Sequence, residues 1–134
     1  MPPPPAPSVR IALFLPDLDD RPGRRAAVDL AGRLLEAGLA VDAVAPMGGG
    51  ALRAALDPAI GQIDLAKRHA ATSVLALARV VAERRPAVLA VPREAAWIAK
   101  LAGRLARTGV AVVTLADDVS SDLSAIRAAA PRWG

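Results

Sequence analysis

Five short apolar runs, separated by longer segments with helical periodicity, constrain the fold of this chain more than any other feature. Nearly continuous apolar runs of β-compatible residues are typical of parallel strands covered on both faces. Strands that alternate with helices favour parallel pairing with right-handed crossovers. We therefore predict an α/β, Rossmann-like three-layer domain with a mainly parallel sheet of about five strands. The runs are VRIALFLP (9–16), LAVDAVAP (39–46), AIGQIDLA (59–66), PAVLAVP (86–92) and VAVVTLA (110–116).

Helical periodicity fills the segments between these runs. The first helix is predicted from about residue 24 to residue 37, and Gly38 suits the C′ position that follows it. A second helix cannot continue through Pro86. A third runs from about residue 94 to residue 108, and a short fourth has Ser120 or Ser121 as its N-cap. The apolar faces assigned to the last three helices are Val74, Leu77, Ala78 and Val81; Trp97, Ile98, Leu101 and Leu105; and Leu123 and Ile126.

The length of 134 residues suits one domain. We assign residues 1–8 to a Pro-rich flexible leader, residues 9–118 to the Rossmann-like domain, and residues 119–134 to a short helix and tail. The chain has no cysteine, which excludes disulfide frameworks, thiolate zinc sites and cysteine nucleophiles. The leader lacks the pattern of a signal peptide, and no apolar stretch is long enough for a membrane helix. We therefore expect a cytoplasmic protein, and leave peripheral attachment to a membrane open.

The net charge of +4 bears on the partners of the chain. Of the 17 basic residues, all but Lys67 and Lys100 are arginine. A basic protein attracts nucleic acid, anionic lipid or phosphorylated ligands. The arginines are spread along every predicted helix and no aromatic platform accompanies them, so we do not expect nucleic acid as a partner.

A charged elbow, DLDDRPGRR (17–25), lies between the first strand and the first helix. Ligands of open α/β sheets bind beyond the carboxyl ends of the strands, where helix N-termini present unpaired N–H groups. In one interpretation, Gly23, Arg24 and Arg25 contact an anionic ligand here. In the other, the elbow is a solvated loop with internal ion pairs, in which Asp20 or a neighbour caps the helix.

Two further pairs of charged residues are predicted at the same edge of the sheet. Arg93 and Glu94 follow the fourth strand, and they either face the ligand cleft or pair with neighbours. Asp117 and Asp118 follow the fifth strand. This pair of carboxylates can hold ligand hydroxyls or a metal, although capping the next helix is the simpler account.

Two other features carry little chemistry. Residues 48–50, Gly48 to Gly50, could form an anion-binding nest, but the segment lacks the lysine and hydroxyl of a P-loop, so we expect a flexible linker. His69 has no cysteine available and no carboxylate four residues on, where Ser73 stands. We therefore expect neither a metal site nor a general base there, and we predict no metal and no cofactor.

Several segments follow one another in a recognisable order: RIALFLPDL, GRRAAVDLAGRLLEAGLAVDAVAP, IDLA, LARVVAERRPAVLAV and AAWIAKLAGRLARTGVAVVTLADD. Over about residues 9–118, this order resembles the N-terminal half of the family-4-like glycosyltransferases. The resemblance implies GT-B architecture, in which an N-terminal Rossmann-like domain holds the acceptor and a second domain holds the nucleotide sugar. It implies that a sugar or an anionic lipid-linked acceptor binds at the cleft edge, at Gly23, Arg24, Arg25, Arg93, Glu94, Asp117 and Asp118.

The chain departs from this family at three places. The family's Gly-Gly-Ala-Glu-Arg stretch is matched by positions 21–25, where Arg25 alone is kept and Pro22 removes an N–H. The Thr-Glu-His run after the family's fifth strand is replaced by Thr-Leu-Ala at positions 114–116. The spaced pair of glutamates that the donor half supplies has no counterpart among the glutamates of this sequence.

The resemblance and the departures together imply an acceptor-side domain that needs a donor-binding partner, as a truncated or a split transferase. Nucleotide sugar is expected to bind only with that partner, and the catalytic residues are not defined. The exposed side of the last helix, with Leu123 and Ile126, and Trp133 are predicted docking positions for a protein partner. The alternative is a non-enzymatic Rossmann-like binding or interaction module, which the lost glycines and histidine suit equally well.

Overall fold

The computed structural model describes residues 9–47 and 49–130. The proline-rich leader, Gly48 and residues 131–134 with Trp133 lie outside the described residues. What the sequence predicts for them stays a prediction.

Five strands form one parallel sheet in the described residues. They lie in the order β3-β2-β1-β4-β5, so the chain steps from β1 out to one edge and then crosses to β4 and the other edge. The four strand pairings are all parallel. The predicted α/β, Rossmann-like architecture is confirmed. The strands are β1 (Arg10–Phe14), β2 (Ala40–Ala45), β3 (Gly61–Asp64), β4 (Val88–Pro92) and β5 (Ala111–Leu115).

Helices cover both faces of this sheet. The α-helices are α1 (Pro22–Glu36), α2 (Val74–Arg84), α3 (Ala96–Ala106) and α4 (Val119–Ala129). Helices α1 and α4 pack together on one face, and α2 and α3 pack together on the other. Short 3₁₀ helices at Ala51–Ala55, Ala70–Ser73 and Arg93–Ala95 lie in the connections. None of the helices in the described residues has both the length and the apolar character needed to cross a bilayer.

Backbone chemistry accounts for where the helices begin and end. Pro22 opens α1, where its missing N–H has no helical partner to lose, and Gly38 follows the helix with φ of 87°, as the C′ prediction requires. Helix α2 ends at Arg84, and the next residue, Arg85, has φ of 49° directly before Pro86. Helix α3 ends at Ala106, and the next residue, Arg107, has the same left-handed conformation with φ of 55°.

The central strands β1 and β4 divide the core into two halves. Side chains alternate along β1, so Ile11 and Leu13 pack towards α1 and α4, while Ala12 and Phe14 pack towards α2 and α3. All four side chains are at most 1% exposed. Strand β5 lies at an edge of the sheet and is only partly covered, so its residues are more exposed to solvent than those of the central strands.

The last helix differs from the prediction in two respects. Its N-cap is Asp118, whose carboxylate accepts hydrogen bonds from the backbone N–H groups of Ser120 (3.1 Å) and Ser121 (3.4 Å), so neither serine is the cap. The predicted exposed apolar side is also wrong, because Ile126 is fully buried and Leu123 is partly buried against the same core. The apolar side of α4 therefore packs against the core of its own domain and is not exposed for a protein partner.

Helix α3 also presents its apolar residues differently from the prediction. Of the four residues assigned to one face, only Ile98 is buried, and it faces the sheet together with Ala99 and Ala102. The other large apolar residues point outward: Trp97 is 54% exposed, Leu101 43% and Leu105 50%. The small alanines let the helix lie close to the sheet while larger side chains remain outside.

The glycine-rich connection is packed at Gly50, which corrects the linker prediction there. Gly50 has φ of 139°, and a Cβ on it would lie 2.6 Å from the backbone of Leu18. The N–H of Leu52 donates to the carbonyl of Leu18 at 2.9 Å. Because only glycine fits this contact, the connection after β2 is fastened to the loop after β1.

A buried carboxylate that sequence reasoning missed lies in the middle of β2. The side chain of Asp42 is 2% exposed and accepts hydrogen bonds from Arg10 Nη1 (2.9 Å) and Arg84 Nε (2.7 Å). A second nitrogen of Arg84, Nη2, donates to the other oxygen at 3.1 Å. A Cβ on Gly61 of the neighbouring strand would collide with this carboxylate, so β3 has a glycine at the point where the ion pairs need room.

Candidate functional site

Three loops meet at the carboxyl edge of the sheet, because β1, β4 and β5 are neighbours and all parallel. The loop after β1 leads into α1, the loop after β4 into α3, and the loop after β5 into α4. A cleft of about 240 Å³ opens between the last two, lined by Arg93, Glu94, Leu115, Ala116 and Asp117. This is the edge at which α/β sheets bind ligands.

Arg24 lies under this edge in the first turn of α1, with its side chain 6% exposed. Its Nη2 donates to Glu94 Oε1 at 2.7 Å and lies 3.4 Å from Asp17 Oδ2. Its Nε is 3.4 Å from Asp17 Oδ1 but forms no hydrogen bond. The buried cation therefore joins the loop after β1 to the loop after β4 and fixes the position of the Glu94 carboxylate.

The electrostatics of this cluster keep both carboxylates ionised. The hydrogen bond from Arg24 lowers the pKa of Glu94, and a bond to its own backbone N–H acts in the same direction. Burial acts to raise the pKa of Asp17, but the hydrogen bonds from Arg21 and from the Asp19 N–H outweigh it and the pKa is lowered. Glu94 remains 59% exposed, so its carboxylate is both oriented and open to solvent.

Asp117 approaches the start of α1 from the loop after β5. A Cβ on Gly23 would lie 3.1 Å from Asp117 Oδ1, so the absence of a side chain at Gly23 makes room for the carboxylate. Asp117 has φ of 62°, in the left-handed region that aspartate tolerates better than most residues. A negative charge close to the first turn of a helix interacts favourably with the helix dipole.

The rest of the elbow is held by ion pairs within the loop. Arg21 donates to Asp17 at 2.5 Å. Arg25 forms a bidentate ion pair with Asp20, in which Nη2 lies 2.9 Å from Oδ2. The bond from Arg25 lowers the pKa of Asp20. The internal ion pairs expected of a solvated loop are therefore present. The capping expected from Asp20 or a neighbour is absent, because the N-cap is Arg21 and no side chain forms a capping hydrogen bond.

The seven predicted site residues separate into two groups. Gly23, Arg24, Arg93, Glu94 and Asp117 are brought together around the cleft and beneath it. Arg25 is paired with Asp20 on the exposed side of α1, and Asp118 caps α4. The capping role weighed for the aspartate pair thus belongs to Asp118, while Asp117 lines the cleft.

One positioning residue of this edge escaped the sequence analysis. Asp122 is 4% exposed, and its Oδ1 accepts a hydrogen bond from the backbone N–H of Ala116 at 2.7 Å. It therefore holds the loop that carries Asp117. The signal in the sequence is an acidic residue in the first turn of the predicted helix, and its burial, which the sequence does not show, is what requires a nearby donor.

Metal ligation finds no support among residues 9–47 and 49–130, where no three His, Cys, Asp or Glu side chains are grouped to hold an ion. His69 is exposed, and its carbonyl accepts hydrogen bonds from the hydroxyls of Thr72 (2.8 Å) and Ser73 (3.2 Å). What the edge offers a ligand is carboxylate oxygens and the guanidinium of Arg93.

The comparisons with known proteins bear on the fold. No family model matches the sequence. No curated protein matches it either. Among solved structures, the chain is similar to a glycosyltransferase from Rickettsia africae ESF-5, with 23% identity and a TM-score of 0.60. The similarity covers 80% of this chain and 29% of that one, so this chain spans less than a third of that protein's length. The domain thus has a fold that a glycosyltransferase also contains.

Proposed function

We propose that this chain is the acceptor-side domain of a glycosyltransferase-related protein, of the GT-B, family-4-like kind. The observation that carries the proposal is the cleft in which Glu94 and Asp117 present carboxylates at the ligand edge of the sheet. The fold shared with a known glycosyltransferase supports the reaction class. In this proposal residues 9–118 form the acceptor domain and residues 119–134 its closing helix and tail.

The chemistry of the cleft suits a hydroxyl-rich acceptor. Carboxylates accept hydrogen bonds from sugar hydroxyls, and bonds to a charged acceptor are stronger than neutral ones. Glu94 is held by Arg24, so it binds without first having to be ordered. Because its pKa is lowered, Glu94 is a weak base and is assigned to binding rather than to proton removal.

The charges of the edge assign different parts of an acceptor to different residues. The charge of Arg24 is compensated by Asp17 and Glu94, and that of Arg25 by Asp20. Arg93 is exposed and lines the cleft, so it is the proposed contact for the anionic group of a lipid-linked acceptor. Gly23 contributes by admitting the Asp117 carboxylate.

Sugar transfer in this proposal requires a second domain that binds the nucleotide sugar, either in a longer protein or on a separate chain. The lack of a spaced glutamate pair in this sequence supports that requirement. We place the assembly in the cytoplasm, with peripheral attachment to the membrane that carries a lipid-linked acceptor.

The acceptor site is tested by saturation-transfer NMR with a panel of mono- and disaccharides and sugar phosphates. We expect weak binding by the native chain. Glu94→Gln and Asp117→Asn should each weaken it about tenfold, as loss of a charged hydrogen bond does. The matched control is Glu83→Gln on the exposed side of α2, which should bind as the native chain does. If no sugar binds, or if Glu94→Gln binds unchanged, the acceptor role is wrong and a non-enzymatic interaction module becomes the better account.

The donor part is tested separately by calorimetry with UDP and GDP sugars. The isolated chain should show no tight binding, because the donor site belongs to the second domain. Sub-micromolar binding by the purified chain would place the donor site here and overturn this part of the proposal.

A further inference from the structure

Exposed apolar side chains are concentrated on one side of the molecule. Within the described residues, four of the five large apolar side chains that remain exposed lie on α2 or α3: Leu75, Trp97, Leu101 and Leu105. The last three recur at every fourth position of α3 and so form one line along the helix, which we name the α3 stripe. A contiguous exposed apolar line of this kind marks an interaction surface.

A row of cations accompanies the α3 stripe. Lys100 and Arg104 lie beside it, three residues after Trp97 and Leu101, Arg107 follows the end of the helix, and α3 itself contains no acidic residue. No ion pair with another described residue involves these three side chains. Lys100 and Arg104 line a depression of about 250 Å³ with Val110 and Val112, beside the uncovered edge strand β5. The surface is thus apolar along one line and positively charged along the next.

We propose that this surface binds an anionic lipid bilayer, with α3 lying parallel to the membrane plane. A tryptophan and two leucines on one side of a helix, with lysine and arginine beside them, are the chemistry of an interfacial amphipathic helix. Trp97 and the leucines enter the boundary between headgroups and acyl chains. Lys100 and Arg104 extend their charged ends to the lipid phosphates.

The charges favour a bilayer over a second copy of this chain. A twofold contact through α3 and β5 would bring the unpaired cations of both copies together, and like charges across an interface oppose association. The overall charge of +4 also attracts an extended anionic surface at long range. Bilayer binding would supply the peripheral attachment of the proposed function, but it rests on no residue that lines the cleft at the carboxyl edge, so the vesicle and sugar experiments can fail separately.

The experiment follows the fluorescence of Trp97 as the full chain is titrated with vesicles. The chain has two tryptophans, so a Trp133→Phe background leaves Trp97 as the reporter. We expect a blue shift with phosphatidylcholine vesicles that contain phosphatidylglycerol, and a much weaker response with phosphatidylcholine alone. Co-sedimentation with the same vesicles measures the partition coefficient independently of the Trp97 fluorescence.

Variants separate the apolar from the electrostatic contribution. Leu101→Gln/Leu105→Gln should lower the partition coefficient at least about tenfold, because it removes apolar surface from the buried line. Arg104→Gln should lower it about fivefold. The matched control is Arg33→Gln, an exposed arginine on α1 in the opposite helical layer, which should have a smaller effect than Arg104→Gln. Thermal unfolding of each variant confirms that it is folded.

The proposal is overturned if neither kind of vesicle shifts the Trp97 emission, or if the Leu101→Gln/Leu105→Gln variant binds as the native chain does. It is also overturned if Arg33→Gln weakens binding as much as Arg104→Gln, since the attraction would then come from net charge alone. Should sedimentation equilibrium show dimers that the leucine substitutions dissolve, while vesicles stay unbound, a second copy is the occupant and the bilayer assignment is wrong.

Discussion

The two helical layers of this domain use the same kind of amphipathic helix in opposite ways. In the layer of α1 and α4, the large apolar side chains Leu30, Leu34 and Ile126 are fully buried. In the layer of α2 and α3, Leu77 and Ile98 are buried, but other large apolar side chains remain outside. Helical spacing of apolar residues therefore identifies a helix without identifying which part of the apolar arc faces the sheet.

The largest expected effect compares one apolar residue from each layer. Ile126→Ala in α4 should lower the free energy of unfolding by about 2 to 5 kcal/mol, because it leaves a cavity in the core. Leu101→Ala in α3 should cost at most about 1 kcal/mol, because the side chain is already 43% exposed. Urea unfolding measures both values. Similar losses for the two variants would break the distinction between the layers.

A smaller effect distinguishes the ion pairs that tie each layer to the sheet and its loops. Arg24→Gln should cost about 2 kcal/mol, since the buried guanidinium serves two carboxylates. Arg84→Gln should cost about 1 kcal/mol, because the buried Asp42 carboxylate loses the bonds from Arg84 but keeps its hydrogen bond from Arg10. Urea denaturation at neutral pH tests the order. A larger loss for Arg84→Gln would show that the α2 layer is the more firmly fastened.

The pH dependence of the ion pair between Arg24 and Glu94 gives a still smaller effect. The pKa of Glu94 is lowered in the folded chain from its ordinary value of 4.5, so its stabilising contribution is present above that value. It is lost as the pH falls through the folded pKa. The difference in unfolding free energy between the native chain and Glu94→Gln should therefore shrink below pH 4.5. A difference that persists or grows at acid pH would contradict the ion-pair account.

The smallest effect is expected for Arg25 in the elbow. Its pair with Asp20 is exposed to solvent, and exposed ion pairs contribute little. Arg25→Gln should leave the melting temperature unchanged and should not alter the response to pyrophosphate or sugar phosphates. A clear drop in either quantity would restore the anion-binding interpretation of the elbow at this residue.

The sequence predicts the sheet well because each strand coincides with a short apolar run in the local sequence. The apolar runs at β1 and β4 are nearly continuous, and such runs are typical of parallel strands that are buried on both faces. The carboxyl edge is predictable for the same reason, since strand direction determines where the following loops meet. Three of the predicted charged positions, Arg24, Glu94 and Asp117, are brought close together there.

What the sequence could not predict depends on partners distant along the chain. Arg24 reaches Glu94 across 70 positions, and Arg84 reaches Asp42 across 42. Nothing local distinguishes these arginines from the exposed ones. The prediction of which side of α3 faces the sheet was wrong for a related reason. Either Ile98 with the small alanines or the line of larger residues could face the sheet, and the space above β4 and β5 decides between them. The cap of α4 was predicted in two ways, as Ser120 or Ser121 and as one of the aspartates 117 and 118, and Asp118 is the cap, since aspartate is as good an N-cap as serine.

The missing side chain at Gly23 has a consequence for how relatives of this domain should vary. A Cβ there would approach the Asp117 carboxylate to between 3.1 and 3.3 Å, so the neighbour would have to shift by tenths of an ångström. The two positions therefore constrain each other although they lie on different loops. Among homologues, aspartate at position 117 should occur more often with glycine at position 23 than with a larger residue there. Such paired inheritance would identify the cleft even where the overall sequence has diverged beyond recognition.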